Sequence, residues 1–360
     1  MRAAVSREFG APMAIEDIAI DSPGPNEVLV DISAVAICHS DVTYLNGSWG
    51  GQLPAVYGHE ASGIVSQAGT DAAFAPGDFV AVTLVRSCGD CFQCAHSARH
   101  LCDTPLRLNS QPPLHDSAGK EIWQAMATGA FAEQVLVHES QLARLPDAIA
   151  PEVGALLACG VVTGFGAVRN TAGVPPGAKV AVVGTGGVGL NCVQGAAHAA
   201  AGAIVAIDLS DAKLAVARTV GATAAVNAAA VDPVAAVHDL TEGRGADFVF
   251  VAVGSSRAIE QALPLLRRGG TLVIVGLPPS GDHIEFDPSD FASRGQRILG
   301  SSMGSVEVKE DIPMLAELYL AGRLELDRFV TSTFPFELIN EAVDSARSGE
   351  AIRNVVVVNP

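Results

Sequence analysis

Residues 179–189 read Lys-Val-Ala-Val-Val-Gly-Thr-Gly-Gly-Val-Gly, an apolar run followed at once by a glycine-rich turn. The run Lys179–Val183 has the length of a buried strand, and the segment Val188–Ala201 after the glycines has helical spacing. In this strand–turn–helix context a G-x-G-x-x-G pattern is typical of a dinucleotide-binding loop, because glycines let the backbone approach a pyrophosphate at a helix N-terminus. The residues predicted to form this coenzyme loop are Gly184, Gly186, Gly187, Val188 and Gly189.

The rest of the second half repeats the alternation of strand and helix. Short aliphatic runs are separated by Ala-rich stretches of helical length, such as Asp211–Val220. The predicted strands are Lys179–Val183, Ala203–Ile207, Ala224–Val226, Phe248–Val253, Thr271–Val275 and Ile298–Gly300. This order indicates a doubly wound parallel sheet, so residues 161–302 are predicted to form a Rossmann coenzyme domain.

Asp208, just after the second of these strands, bears on the choice of coenzyme. Its carboxylate is placed to accept hydrogen bonds from the adenosine ribose hydroxyls, and it repels a 2′-phosphate by about 1–4 kcal/mol at contact range. The next three residues, Leu209, Ser210 and Asp211, supply no cation that would offset this charge. We therefore predict NAD rather than NADP as the coenzyme.

The chain before residue 160 has a different character. Alternating apolar and polar residues, interrupted by Gly and Pro, predict a β-rich unit over residues 1–160. Its clearest predicted strands are Glu27–Val35, Gly63–Ser66, Asp78–Leu84 and Phe131–His138. Residues 303–360 contain too few elements to fold alone and are predicted to pack back on residues 1–160. They comprise the predicted helices Ile312–Ala321 and Glu337–Ser348 and the strand Asn354–Val358.

Four of the seven cysteines are crowded into one short segment, which indicates metal ligation rather than a disulfide framework. These four are Cys88, Cys91, Cys94 and Cys102. Their thiolates can surround one ion, and soft sulfur ligands favour Zn²⁺. A site with four thiolates leaves no open position for water, so this zinc is predicted to be structural. Ligation by His96 or His100 in place of one cysteine, or an iron–sulfur cluster, are the alternatives.

A second group of candidate ligands is spread along the chain as Cys38-His-Ser-Asp41, Gly58-His-Glu60 and Cys159. Two cysteines and one histidine supply three ligands and leave a fourth position open, which is the arrangement of a catalytic zinc. The spacing alone does not show that Cys159 meets Cys38. A single cysteine also fits an ordinary buried position, as we expect for Cys192.

Taken together, these motifs make the sequence similar, along essentially its whole length, to the zinc-dependent alcohol dehydrogenases of the medium-chain dehydrogenase/reductase family. The zinc signature of that family is present as Gly58-His-Glu60-x2-Gly63-x5-Gly69, and the four cysteines lie where the family has its cysteine lobe. The resemblance implies a β-rich, chaperonin-10-like catalytic domain beside the Rossmann coenzyme domain. It also implies two zinc ions per chain, one catalytic and one structural, and a small alcohol or aldehyde as substrate.

The resemblance assigns roles around the catalytic zinc. The implied ligands are Cys38, His59 and Cys159. Glu60 matches an acidic neighbour that can approach the metal, Asp41 matches the carboxylate that orients the histidine, and Ser40 matches the hydroxyl that takes the alcohol proton. Many relatives have a histidine at the position of Thr43 that ends the proton relay. A threonine cannot act as a base near neutral pH, so the relay must stop at the coenzyme ribose, pass through water or use another group.

The resemblance also implies contacts to coenzyme and substrate. Beyond the glycine loop and Asp208, the implied coenzyme contacts are His39, Thr163, Lys213, Val253, Val275, Leu277 and Arg353. Of these, His39 and Arg353 match pyrophosphate contacts, and Lys213 matches a ribose contact. The residues implied to line the substrate channel are Trp49, Leu84 and Leu277. Because none of these three is charged, the predicted substrate is an apolar primary or aromatic alcohol.

Two further features bear on substrate and assembly. Trp49 stands where glutathione-dependent formaldehyde relatives have an acidic residue, which argues against that activity. The loop between Cys102 and Phe131 is longer than in compact tetrameric relatives and favours a homodimer, with a tetramer as the alternative.

Composition excludes other classes of function. The net charge of −17 on 360 residues repels nucleic acid and anionic lipid. We expect a cytoplasmic protein, because residues 1–10 lack the apolar region of a signal peptide and no apolar stretch reaches the length of a membrane span. The rival hypotheses are a zinc-binding protein of the same fold without activity, a zinc-free reductase, and an enzyme acting mainly from aldehyde to alcohol.

Overall fold

The structure, a computed structural model, describes residues 1–359, which divide by their internal contacts into two units. Unit 1 comprises Met1–Gly160 and the described chain from Glu307 onward, and unit 2 is Val161–Val306. The domain bounds predicted from the sequence are 160 and 302. Because the chain returns after unit 2, unit 1 is built from two separate segments.

The first segment of unit 1 is mainly β-structure, as predicted. Its strands are β1 (Arg2–Ser6), β2 (Ala14–Asp17), β3 (Ala19–Ile20), β4 (Glu27–Ala36), β5 (Ala55–Val56), β6 (Glu60–Ala68), β7 (Phe79–Val82), β8 (Leu114–His115), β9 (Glu121–Gln124), β10 (Gln134–His138) and β11 (Leu142–Arg144). Its helices are α1 (His39–Leu45), α2 (Phe92–Ala95), α3 (Arg107–Ser110) and α4 (Pro151–Thr171), of which α4 continues into unit 2. Strand β4 contains three valines and one isoleucine, and such β-branched side chains suit a strand that is largely buried.

Unit 2 confirms the predicted doubly wound parallel sheet. Its strands are β12 (Lys179–Val183), β13 (Ala203–Asp208), β14 (Ala224–Asn227), β15 (Ala246–Val251), β16 (Leu266–Ile274) and β17 (Arg297–Gly300). The helices are α5 (Gly187–His198), α6 (Asp211–Thr219), α7 (Pro233–Leu240), α8 (Ser256–Ala262) and α9 (Pro288–Arg294). Within the described chain the strand order is β14-β13-β12-β15-β16-β17. The order of connection reverses between β12 and β15, which is where such sheets bind ligands.

The final segment supplies α10 (Val308–Leu320), β18 (Val330–Pro335), α11 (Ile339–Arg347) and β19 (Arg353–Val357) to unit 1. Strand β19 pairs with β4, which gives the larger sheet the order β11-β7-β6-β4-β19-β18, with β10 also on β4. A smaller sheet has the order β2-β1-β5-β9-β8-β3. Ile339 and Val343 of α11 join the apolar core that these strands enclose. The tail therefore belongs to the same core as the first segment.

Helix α4 differs from the sequence-based expectation. It has 21 residues and a window of mean hydropathy 1.5, so by length and composition it is the one helix among residues 1–359 that could cross a membrane. The expectation that no stretch reaches this length was therefore wrong for α4. Because 89% of that window is buried inside the protein, its apolar composition is that of a core helix.

Candidate active site and metal centres

The pairing of two strands brings Cys38 and His59 to the same end of the larger sheet. Ala36, the last residue of β4, lies opposite Glu60, the first residue of β6. Cys38 follows the end of β4, and His59 directly precedes β6. The register of this pair therefore places the two candidate ligands side by side, although 21 residues separate them in sequence.

Cys159 reaches this place on helix α4. The start of the helix is fixed to β6, because the hydroxyl of Ser62 donates to the carbonyl of Pro151 at 2.6 Å. Residues Leu157–Val161 form a π turn, in which side chains point in directions that a regular α-helix does not give. Such turns are frequent at functional sites, and this one carries the buried thiol of Cys159.

The candidate catalytic centre is a buried cluster of four side chains within unit 1. Its ligand atoms all lie within 4.8 Å of one another. The cluster consists of Cys38, His59, Glu60 and Cys159. Nε2 of His59 is buried and meets no hydrogen-bond partner among the described residues, whereas Nδ1 lies 3.2 Å from Oδ1 of Asp41. A histidine with one nitrogen held by a carboxylate and the other free, beside two thiols, fits a zinc ligand set.

Asp41 organises this cluster. It is fully buried, and its carboxylate accepts hydrogen bonds from the amides of Cys38 at 2.9 Å and Gly58 at 3.1 Å. One side chain thus connects the start of α1, the turn before β6 and the ring of His59. The geometry matches the orienting role that the resemblance implies for Asp41.

The candidate proton acceptor and its neighbour lie on α1. The thiol of Cys38 lies 3.7 Å from Oγ of Ser40, so this hydroxyl borders the cluster. The hydroxyl of Thr43 donates to the carbonyl of His39 at 3.0 Å within the same helix. The Thr43 hydroxyl therefore donates within its own helix, and the prediction that it cannot end a proton relay stays a prediction.

Burial and mutual contact shift the pKa values of the cluster. The hydrogen bond between the two thiols lowers the pKa of Cys38 and raises that of Cys159, so Cys38 loses its proton first. Burial raises the pKa of Glu60 to about 8. Burial lowers the pKa of His59, but the charge and hydrogen bond of Asp41 outweigh it, so the net shift is upward. Metal binding at this cluster is therefore coupled to proton release.

Arg353 contacts Glu60 within unit 1. The antiparallel pairing of β19 with β4 brings Arg353 beside the end of β4, and its Nη2 and Nε lie 3.3 Å from the two carboxylate oxygens. A Cβ on Gly160 would stand 2.8 Å from Nη2, so a glycine next to Cys159 leaves room for the guanidinium. The resemblance assigns Arg353 to the coenzyme pyrophosphate, and within the described chain its guanidinium contacts Glu60 and the carbonyl of Ile352.

The four-cysteine lobe has the dimensions of a zinc site. Three sulfur–sulfur distances in the set of Cys88, Cys91, Cys94 and Cys102 are 3.9, 3.8 and 3.6 Å. A tetrahedron with Zn–S bonds of about 2.3 Å has edges of about 3.8 Å. These three distances are well beyond the length of a disulfide bond and close to the edge of such a tetrahedron, and all four sulfurs lie within 4.8 Å of one another. His96 and His100 are not part of this group.

The glycine loop after β12 forms a cradle of the kind that a pyrophosphate needs. Gly184 has φ +87°, and a Cβ on Gly189 would stand 1.7 Å from the carbonyl oxygen of Gly184. A Cβ on Gly186, by contrast, would meet nothing within 4 Å, so the backbone there faces open space. The first and third glycines allow the tight turn, and the second leaves room at the N-terminus of α5.

Other residues assigned to the coenzyme are placed around this loop. Val253, after β15, packs on Gly184, where an added Cβ would stand 2.3 Å from its Cγ1. A Cβ on Gly276 would stand 2.4 Å from the backbone of Val253. The segment Val275–Leu277 and the glycine loop therefore meet at the carboxyl ends of β12, β15 and β16, where the strand order reverses.

The remaining coenzyme candidates lie in separate parts of the chain. Gly164, the neighbour of Thr163 in sequence, packs directly on the carbonyl of Val188 within unit 2. Lys213 is in the first turn of α6, where its amide donates to Ser210 at 3.4 Å. His39, in unit 1, is exposed at the start of α1.

Trp49 is half-buried in the turn after α1. Its ring packs edge-on against Tyr44, with ring centroids 5.1 Å apart, and Tyr44 in turn lies 6.2 Å from the buried ring of Tyr57. Ser40 and Tyr44 are one helical turn apart on α1 and share a face. Tyr44 and Tyr57 belong to none of the sequence motifs, although aromatic residues beside the zinc motifs are a signal that points to them. Leu84 is also half-buried in unit 1, and Leu277 is exposed in unit 2.

Comparison with known proteins finds relatives across the whole chain. Two family models match, one described as an alcohol dehydrogenase GroES-like domain over residues 24–147 and one described as a zinc-binding dehydrogenase over residues 187–320. An S-(hydroxymethyl)glutathione dehydrogenase of Synechocystis sp. is 36% identical over 365 residues, covering 99% of both chains.

Two solved structures have the same fold over 99% of both chains. A benzyl alcohol dehydrogenase of Acinetobacter calcoaceticus superposes with a TM-score of 0.93 at 31% identity. A zinc-binding dehydrogenase of Sinorhizobium meliloti 1021, solved with NADP bound, superposes with a TM-score of 0.82 at 28% identity. The similarity therefore extends over both units and both metal motifs.

Proposed function

Because this chain belongs to the zinc-dependent alcohol dehydrogenases of the medium-chain dehydrogenase/reductase family, we propose that it interconverts an alcohol and an aldehyde or ketone with NAD. The observation that carries the proposal is the buried cluster of Cys38, His59, Glu60 and Cys159 with Ser40 at its edge. Zinc is proposed to be bound by Cys38, His59 and Cys159, and these three ligands leave a fourth position for the substrate oxygen. The cysteine lobe is proposed to hold a second, structural zinc.

The residues of the cluster divide the chemistry between them. When bound, zinc polarises the substrate oxygen and NAD takes up the hydride. Asp41 fixes the ring of His59 through Nδ1 and so directs Nε2 toward the ligand position. The hydroxyl of Ser40 accepts the proton of the alcohol while its own proton passes on to the coenzyme ribose, to water or to another group, and the carbon–hydrogen bond breaks with its electron pair leaving as hydride. The alcohol thereby loses two electrons and two hydrogens to become the carbonyl product.

The proposed activity is tested by mixing the zinc-loaded protein with NAD and a panel of primary, secondary, aromatic and polyol alcohols. Formation of NADH with at least one alcohol supports an enzyme, and the reverse assay with aldehydes and NADH identifies the preferred direction. If protein that contains zinc and binds NAD shows no turnover in either direction, the proposed activity is wrong. The rival hypothesis of a zinc-binding protein without catalytic activity is then favoured. NADH consumption by zinc-free protein would instead favour the zinc-free reductase.

The coenzyme is proposed to be NAD because of Asp208. We expect the catalytic efficiency with NAD to exceed that with NADP by at least about tenfold, equivalent to about 1.4 kcal/mol. Replacing Asp208 with glycine should narrow this gap, since the repulsion of a 2′-phosphate is lost. The measurement is kcat/KM for both coenzymes with one saturating alcohol.

Asp232 provides the matched control for this prediction. It caps α7 with a hydrogen bond to the amide of Val234 at 3.0 Å, and asparagine caps a helix equally well. Asp232→Asn removes a carboxylate from the same unit and should leave the coenzyme ratio unchanged. A native protein that uses NADP better, as its NADP-bound structural neighbour allows, contradicts the role proposed for Asp208.

The substrate is proposed to be an apolar primary or aromatic alcohol, because the helix that carries Ser40 also carries the ring of Tyr44, and Trp49 packs on that ring from the following turn. The benzyl alcohol dehydrogenase among the structural neighbours supports this class. Each buried methylene adds roughly 0.8 kcal/mol, so efficiency should rise along a series of linear alcohols until the channel is full. Trp49→Ala should then extend the range toward bulky, branched alcohols.

Trp123 is the control for the tryptophan substitution, because it is also half-buried and packs against the core of unit 1. Trp123→Ala should lower the melting temperature without reordering the substrates. If Trp49→Ala has that same effect and keeps the wild-type substrate order, Trp49 is a core residue and does not line the pocket. The glutathione adduct used by the Synechocystis relative belongs in the same panel, and efficient use of it would contradict an apolar pocket.

A further inference from the structure

Thr185 occupies the unspecified second position of the glycine loop, between Gly184 and Gly186, and contacts Asp208 twice. Its amide donates to Oδ2 of Asp208 at 2.6 Å, and its hydroxyl donates to the same oxygen at 3.0 Å. Oδ1 accepts hydrogen bonds from the amides of Leu209 at 2.8 Å and Ser210 at 3.0 Å. Each oxygen of the carboxylate therefore accepts two hydrogen bonds from these turns, which restrains its orientation.

The four donors differ in kind. Three are backbone amides, whose positions are fixed by the turns after β12 and β13. The fourth is the hydroxyl of Thr185, the one side-chain donor among them. Thr185 is fully buried, whereas Asp208 is partly exposed, so water cannot readily replace the hydroxyl if it is removed. Among these four donors, only the hydroxyl of Thr185 can be removed by changing a side chain. A substitution at this unspecified position of the motif can therefore remove one hydrogen bond to Asp208.

We propose that Thr185 is a positioning residue that sets coenzyme specificity through Asp208. This rests on the NAD site proposed above. A carboxylate held at both oxygens is already oriented toward the ribose hydroxyls, so little freedom is lost when NAD binds. The same restraint prevents the charge from turning away from a 2′-phosphate. Without the hydroxyl, the carboxylate of Asp208 can rotate more freely. Binding of NAD must then restrict this rotation, which weakens binding, whereas the carboxylate can turn away from the 2′-phosphate when NADP binds.

The test measures dissociation constants of NAD and NADP by isothermal titration calorimetry on zinc-loaded protein, with no substrate present. Thr185→Val keeps the branched shape and removes the hydroxyl, and Thr185→Ser restores it. We expect the valine variant to bind NAD about three- to tenfold more weakly than the wild type does, while its affinity for NADP does not fall. The preference for NAD over NADP should therefore decrease by at least the same factor. The serine variant should match the wild type. Thermal melts of all variants check that the loop remains folded.

A double-mutant cycle with Asp208→Ala separates this role from a general effect on the loop. If Thr185 acts through the carboxylate, Thr185→Val changes neither dissociation constant once Asp208 is alanine. Equal weakening for both coenzymes, or a weakening that persists in the Asp208→Ala background, overturns the proposal. The two possible failures can be told apart. Tighter binding of NADP than of NAD by the wild-type protein contradicts the proposed coenzyme. Absence of coupling between Thr185 and Asp208 in the double-mutant cycle contradicts the proposed role of Thr185.

Discussion

Replacing Ser40 with alanine should lower turnover by about 10²-fold or more, with the dissociation constant of NAD nearly unchanged, because the substitution removes a positioned proton acceptor. The hydroxyl of Ser40 lies 3.7 Å from the thiol of Cys38, at the edge of the proposed catalytic centre. The neighbouring hydroxyl of Thr43 is bonded to the carbonyl of His39 and cannot take over. Stopped-flow measurement of NADH formation provides the turnover, and calorimetry provides the coenzyme affinity.

Two controls make this result specific. Ser40→Thr keeps a hydroxyl at the same place on α1 and should retain most of the turnover. Zinc content must be equal in all variants, because Ser40 is close to Cys38 in sequence and in space. If the alanine variant turns over within about twofold of the wild type, the proton leaves by another route and the role of Ser40 is wrong.

Cys159→Ser should abolish activity while the protein stays folded. The substitution exchanges one thiolate ligand for a hydroxyl of similar size within the π turn of α4, so we expect loss of the catalytic zinc and retention of the lobe zinc. A loss of several kcal/mol of electrophilic stabilisation corresponds to a rate below about one-thousandth of the wild type. Elemental analysis and activity on the same sample are the measurements.

Cys192→Ser is the matched control. Cys192 is fully buried in α5, and burial raises the pKa of its thiol to about 12, so it remains a neutral apolar side chain. The serine variant should be less stable, because a hydroxyl replaces an apolar thiol, yet keep both zinc ions and its turnover. An equal loss of activity in Cys192→Ser and Cys159→Ser would mean that the protein tolerates no such change and that Cys159 has no special role.

The parallel sheet was predictable from the sequence because its signals are local. The strand Lys179–Val183 was predicted with the bounds that the structure has, since an aliphatic run ends at a glycine turn. The β-rich unit was less well defined. The strand predicted as Phe131–His138 begins only at Gln134, because Ala130 and Phe131 instead donate their amides to the carbonyls of Gly58 and Tyr57.

The candidate site depends on contacts that spacing does not encode. Cys159 joins Cys38 only because α4 docks on β6 and contains a π turn, neither of which has a pattern in the sequence. The contact of Arg353 with Glu60 depends on the pairing of β19 with β4, which joins the final segment of the chain to the first. The role of Thr185 was invisible, because the glycine motif leaves its position unspecified. The homodimer and the cytoplasmic location stay predictions.

The central claim is that a zinc ion held by Cys38, His59 and Cys159 is required for the reaction, and zinc titration tests it most directly. Native protein is treated with a chelator in steps, and zinc per chain, NAD-linked turnover and melting temperature are measured on each sample. We predict about two zinc ions per chain at the start. Activity should disappear with loss of the first ion and return on adding zinc, and the melting temperature should fall mainly with loss of the second. Full turnover in protein without zinc would contradict the account.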